Sequence, residues 1–454
     1  MIKKISFFLL LLPIAIQAQN HFITDVGLRV LLSDQKNTFW SHSNTNGLIQ
    51  PNTNFLGTVN TEFSNYVGEY GRLAIGASAF YAVNKSQDDT AALNEYYAFY
   101  EYQNVKVTLG AKNRDEKLMG LSSVGGDMLW SSNARAIPGI EFATIAPLEF
   151  SDYISLDFAL GHYLLNDDRH VENARVHYKK ITLNLNTSEN SVFSLGLSNY
   201  AQWGGVSKTA GQQPDSANDF LKILFSTTET TKVTRGYEEN PMGNFIGSFH
   251  LDYKYQFRNR DKLHLYYQSI YEDTSGREFA NFPDGVWGAF WSTSEEDSFI
   301  KGFLYEYQHT ISQSGPSLNR YNDNYFNNNI YQSGWTYFGE VIGTPFITPN
   351  PDGIGIINNT YRAHHVGVTG RLFNLDYKGK ASYVVNKGLI RAPFEPSQNN
   401  LYVYGDLTYN ASERSSFSFS LAGDIRDAER DRLTVGLGFR YRIGRKPRYI
   451  YRRD

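Results

Sequence analysis

The stretch "LTVGLGFRYRI" at residues 433–443 alternates without a break. Leu433, Val435, Leu437, Phe439, Tyr441 and Ile443 fall on one face, and Thr434, Gly436, Gly438, Arg440 and Arg442 on the other. A period of two is that of an extended strand with one apolar and one polar side. The pattern recurs along the chain in "RLAIGASAF" (72–80), "NVKVTLGAK" (104–112), "ISLDFALG" (154–161), "ITLNLN" (181–186), "LDYKYQF" (251–257), "LHLYYQ" (263–268), "LYVYGDLTYN" (401–410) and "SFSFSLAG" (416–423). Two architectures share it. A soluble sandwich turns the apolar faces inward, whereas a membrane barrel turns them to lipid and keeps a polar lumen.

Three features favour the barrel. The runs are ~9–11 residues long, enough to cross a bilayer at a tilt. Tyr and Phe, 32 and 30 in number, gather at strand ends as in aromatic girdles. The polar face carries Arg, Lys and His as well as Ser and Thr, as a wet lumen would. Hydrocarbon cannot hydrogen-bond a free backbone group, so a spanning sheet must close on itself. At ~24 residues per strand plus connection, the chain supports roughly 16–18 antiparallel strands. Connections predict two unlike rims: "NASERS" (410–415) and "DIRDAERD" (424–431) are short, whereas 34–55, 113–133, 202–221, 272–299 and 311–360 are long.

The first residues, MIKKISFFLLLLPIAIQAQN, place Lys3 and Lys4 before an apolar block from Ile5 to Ile16, with a cut expected after Ala18. That is a secretory leader, too short to span a bilayer. Its removal takes the formal charge from −3 to −5. Residues 19–443 then form the barrel, and "GRKPRYIYRRD" (444–454) a basic tail. The absence of cysteine removes disulfides, Cys-based zinc sites and thiol nucleophiles together. The acidic balance does not suit a nucleic-acid partner.

Catalytic signatures are scarce: there is no G-x-S-x-G, H-E-x-x-H, P-loop or dinucleotide glycine pattern. His364 and His365 are adjacent, so on a strand they face opposite ways and cannot share a metal. The acidic pairs Asp167-Asp168, Glu272-Asp273 and Glu295-Glu296 read as solvated loop charge. Binding signatures are better. Arg175, His177 and Lys179 share one strand face, which reads either as a cationic ladder in the lumen or as a charge row balancing lumen carboxylates such as Glu306. The apolar phase slips at Lys179-Lys180, which predicts a β-bulge there. In "WSSNARAIPG" (130–139), Asn133 and Arg135 precede a strand entered at Pro138, and Arg135 is expected to pair with a carboxylate. The loops "NYAQWGG" (199–205), "FPDGVWG" (282–288) and "YNDNYFNNNIYQSGWTYFGE" (321–340) mix aromatics with amides. That mixture suits either a carbohydrate surface or a loop packed into its own barrel.

Ordered segments resemble the Wzi-type capsule assembly proteins, in the version found in the Bacteroidetes group: "KNTFWSHSNTNGLI", "WSSNARAIPGIEF", "ARVHYKK", "LSNYAQWGG", "YYQSIYEDTSG", "FPDGVWG", "FLYEYQHT", "NNIYQSGWTYFGEVIGTP" and "YRAHHVGVTG". They run from about residue 25 to residue 443. The resemblance implies an outer-membrane barrel of about 18 strands, closed by infolded loops. It also implies a non-catalytic, lectin-like role in organising capsular polysaccharide. Arg135, His177, Trp203, Trp287, Glu306, Trp335 and Arg362 stand at motif positions. Where relatives carry an acidic residue and His before Trp-Gly-Gly, this chain has Ser198, Asn199 and Tyr200.

The expectation is an all-β transmembrane barrel in the outer membrane that binds capsular or exopolysaccharide without cofactor or metal. Loop aromatics would stack on sugars while cations meet acidic groups. Candidate contacts are Asn133, Arg135, Arg175, His177, Lys179, Trp203, Trp287, Glu306, Tyr331, Trp335 and Arg362. Other partners are outer-membrane lipid and, during biogenesis, the barrel assembly machinery, with the chain a monomer. A diffusion porin or sugar-specific channel, and an outer-membrane hydrolase, are the alternatives.

Overall fold

The computed structural model describes residues 21–85, 87–226, 228–233, 236–241, 243–272, 279–313, 323–351 and 353–444. The leader and the basic tail beyond Gly444 lie outside these, as does Asp273. The first nine strands of the barrel are β1 His21–Ser33, β2 Thr53–Val67, β3 Gly71–Asn84, β4 Thr90–Tyr102, β5 Val105–Ala111, β6 Pro138–Thr144, β7 Ile154–Leu164, β8 Arg175–Ser188 and β9 Ser191–Trp203. The second nine are β10 Asn244–Gln256, β11 Lys262–Ser269, β12 Gly285–Ser292, β13 Gly302–His309, β14 Tyr361–Leu372, β15 Leu375–Leu389, β16 Ala392–Asn410, β17 Ser415–Arg426 and β18 Arg432–Gly444. A short segment, Leu148–Ser151, continues β6 along the same neighbour. Each strand pairs antiparallel with the next, and β1 pairs with β18 from Ile23↔Gly444 to Ser33↔Thr434. The sheet is a closed 18-stranded barrel.

The opening stretch is β18, and its two faces separate as the alternation requires. Leu433, Leu437, Tyr441 and Ile443 are exposed on the outer wall, while Thr434 is buried inside. Leu28, Val30 and Leu32 of the adjoining β1 are likewise exposed outside. Asp25, on the inner face, accepts from Arg440 Nε at 3.0 Å and Arg442 Nε at 2.9 Å. Apolar outside and paired ions inside is the inverse of a soluble core and suits lipid.

At one rim the connections are tight, as at 103–104, 152–153, 189–190 and 373–374. At the other they include 34–52, 112–137, 204–243, 270–284 and 310–360. Three expectations change. The segment 272–299 is not one loop, because "GVWGAFWS" forms β12 within it. The turn inside "DIRDAERD" is short but lies on the long-loop rim, joining β17 to β18. Lys179 and Lys180 pair in unbroken register with Asn199 and Ser198, so there is no bulge. The phase slip has another cause. The outward face of β8 changes from Arg175, His177 and Lys179 to Ile181 and Leu183 because it passes from beneath a covering helix into the exposed apolar wall.

Candidate functional site

Three long-rim loops fold into the barrel and interlock. The first, 34–52, carries the short helix α1 (Phe39–His42). Phe39 stacks on Tyr402 at 4.3 Å and on Phe346 at 5.4 Å. Its amide donates to the Asp424 carboxylate at 3.0 Å, and Trp40 Nε1 to Ser382 at 3.0 Å. The second loop, 112–137, is tied to the wall through Glu306, which is fully buried. Glu306 accepts from Ser122 Oγ at 2.6 Å, the Ser123 amide at 2.8 Å, and the hydroxyls of Ser123 and Tyr266. His365 Nε2 contacts the Leu121 carbonyl at 2.7 Å, whereas the adjacent His364 faces out, so the two histidines diverge as alternation requires.

The third loop, 310–360, closes over the second. Trp335, 1 % exposed, donates from Nε1 to the Leu129 carbonyl at 2.6 Å and meets Trp130 edge-on. Tyr331, also buried, donates to the Gly204 carbonyl at 3.3 Å. Asn133 joins all three loops: it accepts from the Asn44 amide at 3.1 Å and donates to the Val341 carbonyl at 3.1 Å. The approach is close enough that a Cβ on Gly343 would stand 2.4 Å from the Met128 carbonyl oxygen. Tyr325, Phe326, Ile342 and Phe346 complete an apolar core inside the barrel. The aromatics of 323–340 are therefore packing residues, Phe338 excepted, and not an exposed sugar platform.

Two loop carboxylates have altered acidity. Burial raises the Asp127 pKa, but Arg114 and the bond from Gln268 Nε2 at 2.8 Å outweigh it and hold the group at about 2. Arg114 itself lies 4.3 Å over the Trp130 ring. At Glu340 burial dominates and pushes the carboxyl up to about 7, against weaker hydrogen bonds from Asn133 and Gln50.

The cationic row of β8 is not in the lumen. Val176 and Tyr178 face the plug, and Arg175, His177 and Lys179 face outward, beneath helix α2 (Ala217–Phe225). Ser216 caps this helix reciprocally with Asp219. At its other end Lys179 Nζ donates to the carbonyls of Ile223 at 3.2 Å and Leu224 at 2.7 Å. These are the groups a helix C-terminus leaves unpaired, and a cation suits them. Phe220 packs between His177, His162 and Trp203, at 5.5, 5.4 and 5.7 Å. Arg175 lies 5.0 Å over Trp203. Three of the candidates, His177, Lys179 and Trp203, thus hold α2 to the outer wall, and Arg175 pairs with Asp215 just before it at 3.9 Å.

Trp287 also faces out, stacked at 4.0 Å on Tyr267 in the aromatic band of the wall. Arg362, opposite His309, is exposed on the same side. Arg135 has no carboxylate partner among the described residues. It donates to the Leu93 carbonyl at 2.7 Å and lies 4.3 Å over Phe338. The acidic pairs are not all solvated: Asp167 is buried against Arg169 at 3.2 Å, and Glu272 accepts from the amides of Asn324 and Phe326.

The structure brings Asn133, Glu306, Tyr331 and Trp335 together in the plug, and Arg175, His177, Lys179 and Trp203 under α2. Of the candidates in the plug loops, Arg135 is left partly exposed, beside the exposed Phe338, with Asn324, Asn329 and Ile330 of the third loop also exposed. Sequence reading missed Phe338, Asp127 and Gln308. Gln308 joins the wall to the second and third loops, donating to Ser123 Oγ at 2.7 Å and accepting from Thr344 at 3.0 Å. Its only signal was its parity with Glu306. Among the described residues no group of three or more His, Asp or Glu could hold a metal ion.

The fold is shared with solved outer-membrane proteins. Wzi of Escherichia coli, an outer-membrane protein involved in group 1 capsule assembly and described as a carbohydrate-binding β-barrel, has 15 % identity, with 93 % of this chain and 85 % of that chain covered at a TM-score of 0.60. OccK3 of Pseudomonas aeruginosa has 13 % identity, 94 % and 96 % coverage and a TM-score of 0.52. OccAB4 of Acinetobacter baumannii has 10 % identity, 94 % and 98 % coverage and a TM-score of 0.50. No curated protein sequence matches. The family model of the capsule assembly protein Wzi matches residues 48–350, most of the chain, with the whole second plug loop and most of the third, and the chain belongs to that family.

Proposed function

We propose that this protein is a lectin-like barrel of the outer membrane that holds exported surface polysaccharide at its long-loop face and supports capsule or exopolysaccharide attachment. Its partners on this reading are the polymer and outer-membrane lipid, and the chain works as a monomer without catalysis. The observation that carries the reading is the plug: loops from three distant parts of the chain fill much of the lumen with packed side chains and buried hydrogen bonds. A lumen so filled suits a platform and opposes a diffusion channel. Membership of the Wzi family supports the same role. Short turns face the periplasm in bacterial barrels, which directs the plugged rim, with Arg135, Phe338 and the loop amides, outward to the polymer. A repeating glycan meeting many such proteins gains avidity from weak single contacts.

The test uses the purified, detergent-solubilised protein and capsular polysaccharide from the producing organism. Retention of the polymer, together with negligible conductance in planar bilayers, is the expected result. A large steady conductance without polymer retention would overturn the reading in favour of the porin.

A further inference from the structure

Beside the plug part of the lumen is not filled. A cavity of 360 Å³ is lined by Lys117, Lys180 and Lys254. It continues past Leu118, Lys254 and His264 into a wider space of 960 Å³ bounded by the turns at 152–153 and 189–190, at the short-turn rim. The three lysines come from unrelated elements: the plug loop, β8 and β10. Lys117 is set by its own loop, since its stem lies across Gly126, where an added Cβ would meet Cδ at 3.0 Å. None of the three has a carboxylate within 4 Å among the described residues. The two carboxylates in the cavity wall have other partners: Asp157 accepts from Asn184 at 2.7 Å, and Asp252 contacts His264 Nε2 at 2.6 Å. Burial and the neighbouring Lys180 depress the Lys117 ammonium to about 8. Repulsion among cations gathered on one cavity is relieved by an anion there.

We infer that this cavity binds a carboxylate-bearing sugar residue, taken from the short-turn side of the barrel, with Lys117, Lys180 and Lys254 on the carboxylate and Thr182, Ser194 and Gln268 within reach of hydroxyls. The inference rests on the polysaccharide-holding role and adds a second contact to it, on the opposite side of the plug. Acidic residues of a polymer chain would be sensed before the outer face is engaged. A neutral sugar lacks the charge that the lysines require.

The experiment uses the full-length protein in detergent with D-glucuronate, D-glucose and inorganic phosphate as probes, followed by titration calorimetry. Glucuronate is expected to bind, glucose not to, and Lys117→Gln, Lys180→Gln and Lys254→Gln each to weaken glucuronate about tenfold. The chain has no cysteine, so a Ser188→Cys variant carrying a bulky maleimide at the short-turn mouth should block access. Unchanged affinity in the three lysine variants overturns the inference. So does phosphate binding as tightly as glucuronate, which marks a generic anion site. If glucuronate fails to bind while capsular polymer is still retained, the cavity proposal falls and the platform role stands. If polymer is not retained but glucuronate binds, the reverse holds.

Discussion

Glu306 of the wall accepts both the amide and the hydroxyl of Ser123, so one carboxylate fixes the plug loop to the middle of β13. Glu306→Ala leaves these donors and those of Ser122 and Tyr266 buried and unpaired, at about 1–3 kcal/mol for each group left unsatisfied. The expected outcome is a loosened plug in an intact barrel: conductance appears in planar bilayers while strand content by circular dichroism is unchanged. Glu306→Gln, which still accepts, should conduct less. A silent Glu306→Ala variant would show that the loop is held elsewhere.

Trp335 separates packing from recognition. Buried and bonded to the Leu129 carbonyl, it should cost about 3–5 kcal/mol when replaced by Ala, read as a lower thermal midpoint. Phe338→Ala, at an exposed position, should leave the midpoint alone and weaken polymer retention. The opposite pattern would return Trp335 to the ligand surface.

The acidity of Glu340 makes the plug respond to pH. Its carboxyl is raised from an ordinary 4.5 to about 7 by burial, so the folded state holds the proton more tightly than the unfolded one. Stability from this group is complete below about 4.5 and is lost as pH rises through about 7. The thermal midpoint of the wild type should therefore fall between pH 5 and pH 8 by more than that of Glu340→Gln. Equal slopes would remove Glu340 as the cause.

Lys179 holds the C-terminal end of α2. Lys179→Met removes its bonds to two helix carbonyls, roughly 1–3 kcal/mol in total, and should raise proteolysis within 204–243 without altering the barrel or polymer retention. Loss of polymer binding in this variant would restore the row of β8 to the glycan site.

The barrel was legible because β18 and its counterparts alternate strictly, and alternation is a local property. Which face looks out is not local, and that is where reading failed. Arg175, His177 and Lys179 are cations on a face whose next members are Ile181 and Leu183. The rule that charge belongs in the lumen placed them inside. The cover that makes them tolerable outside, α2, lies some forty residues on in sequence. Likewise the aromatics of 323–340 carry the same residue types whether they stack on sugar or on Trp130, and only the contact with 112–137 decides it. Glu306 and Asn133 were found as candidates, but their roles as anchors depend on partners far along the chain.

The three-way junction at Asn133 has a kinetic consequence. Its partners, Asn44 and Val341, lie before β2 and between β13 and β14, and the first loop is fixed in turn by Asp424 of β17, so the plug cannot be complete until nearly every strand has been delivered. Contacts of such sequence separation form late and slowly. A newly inserted barrel therefore passes through an interval in which its wall is continuous and its bore still unobstructed, and the length of that interval sets how leaky the membrane is during biogenesis.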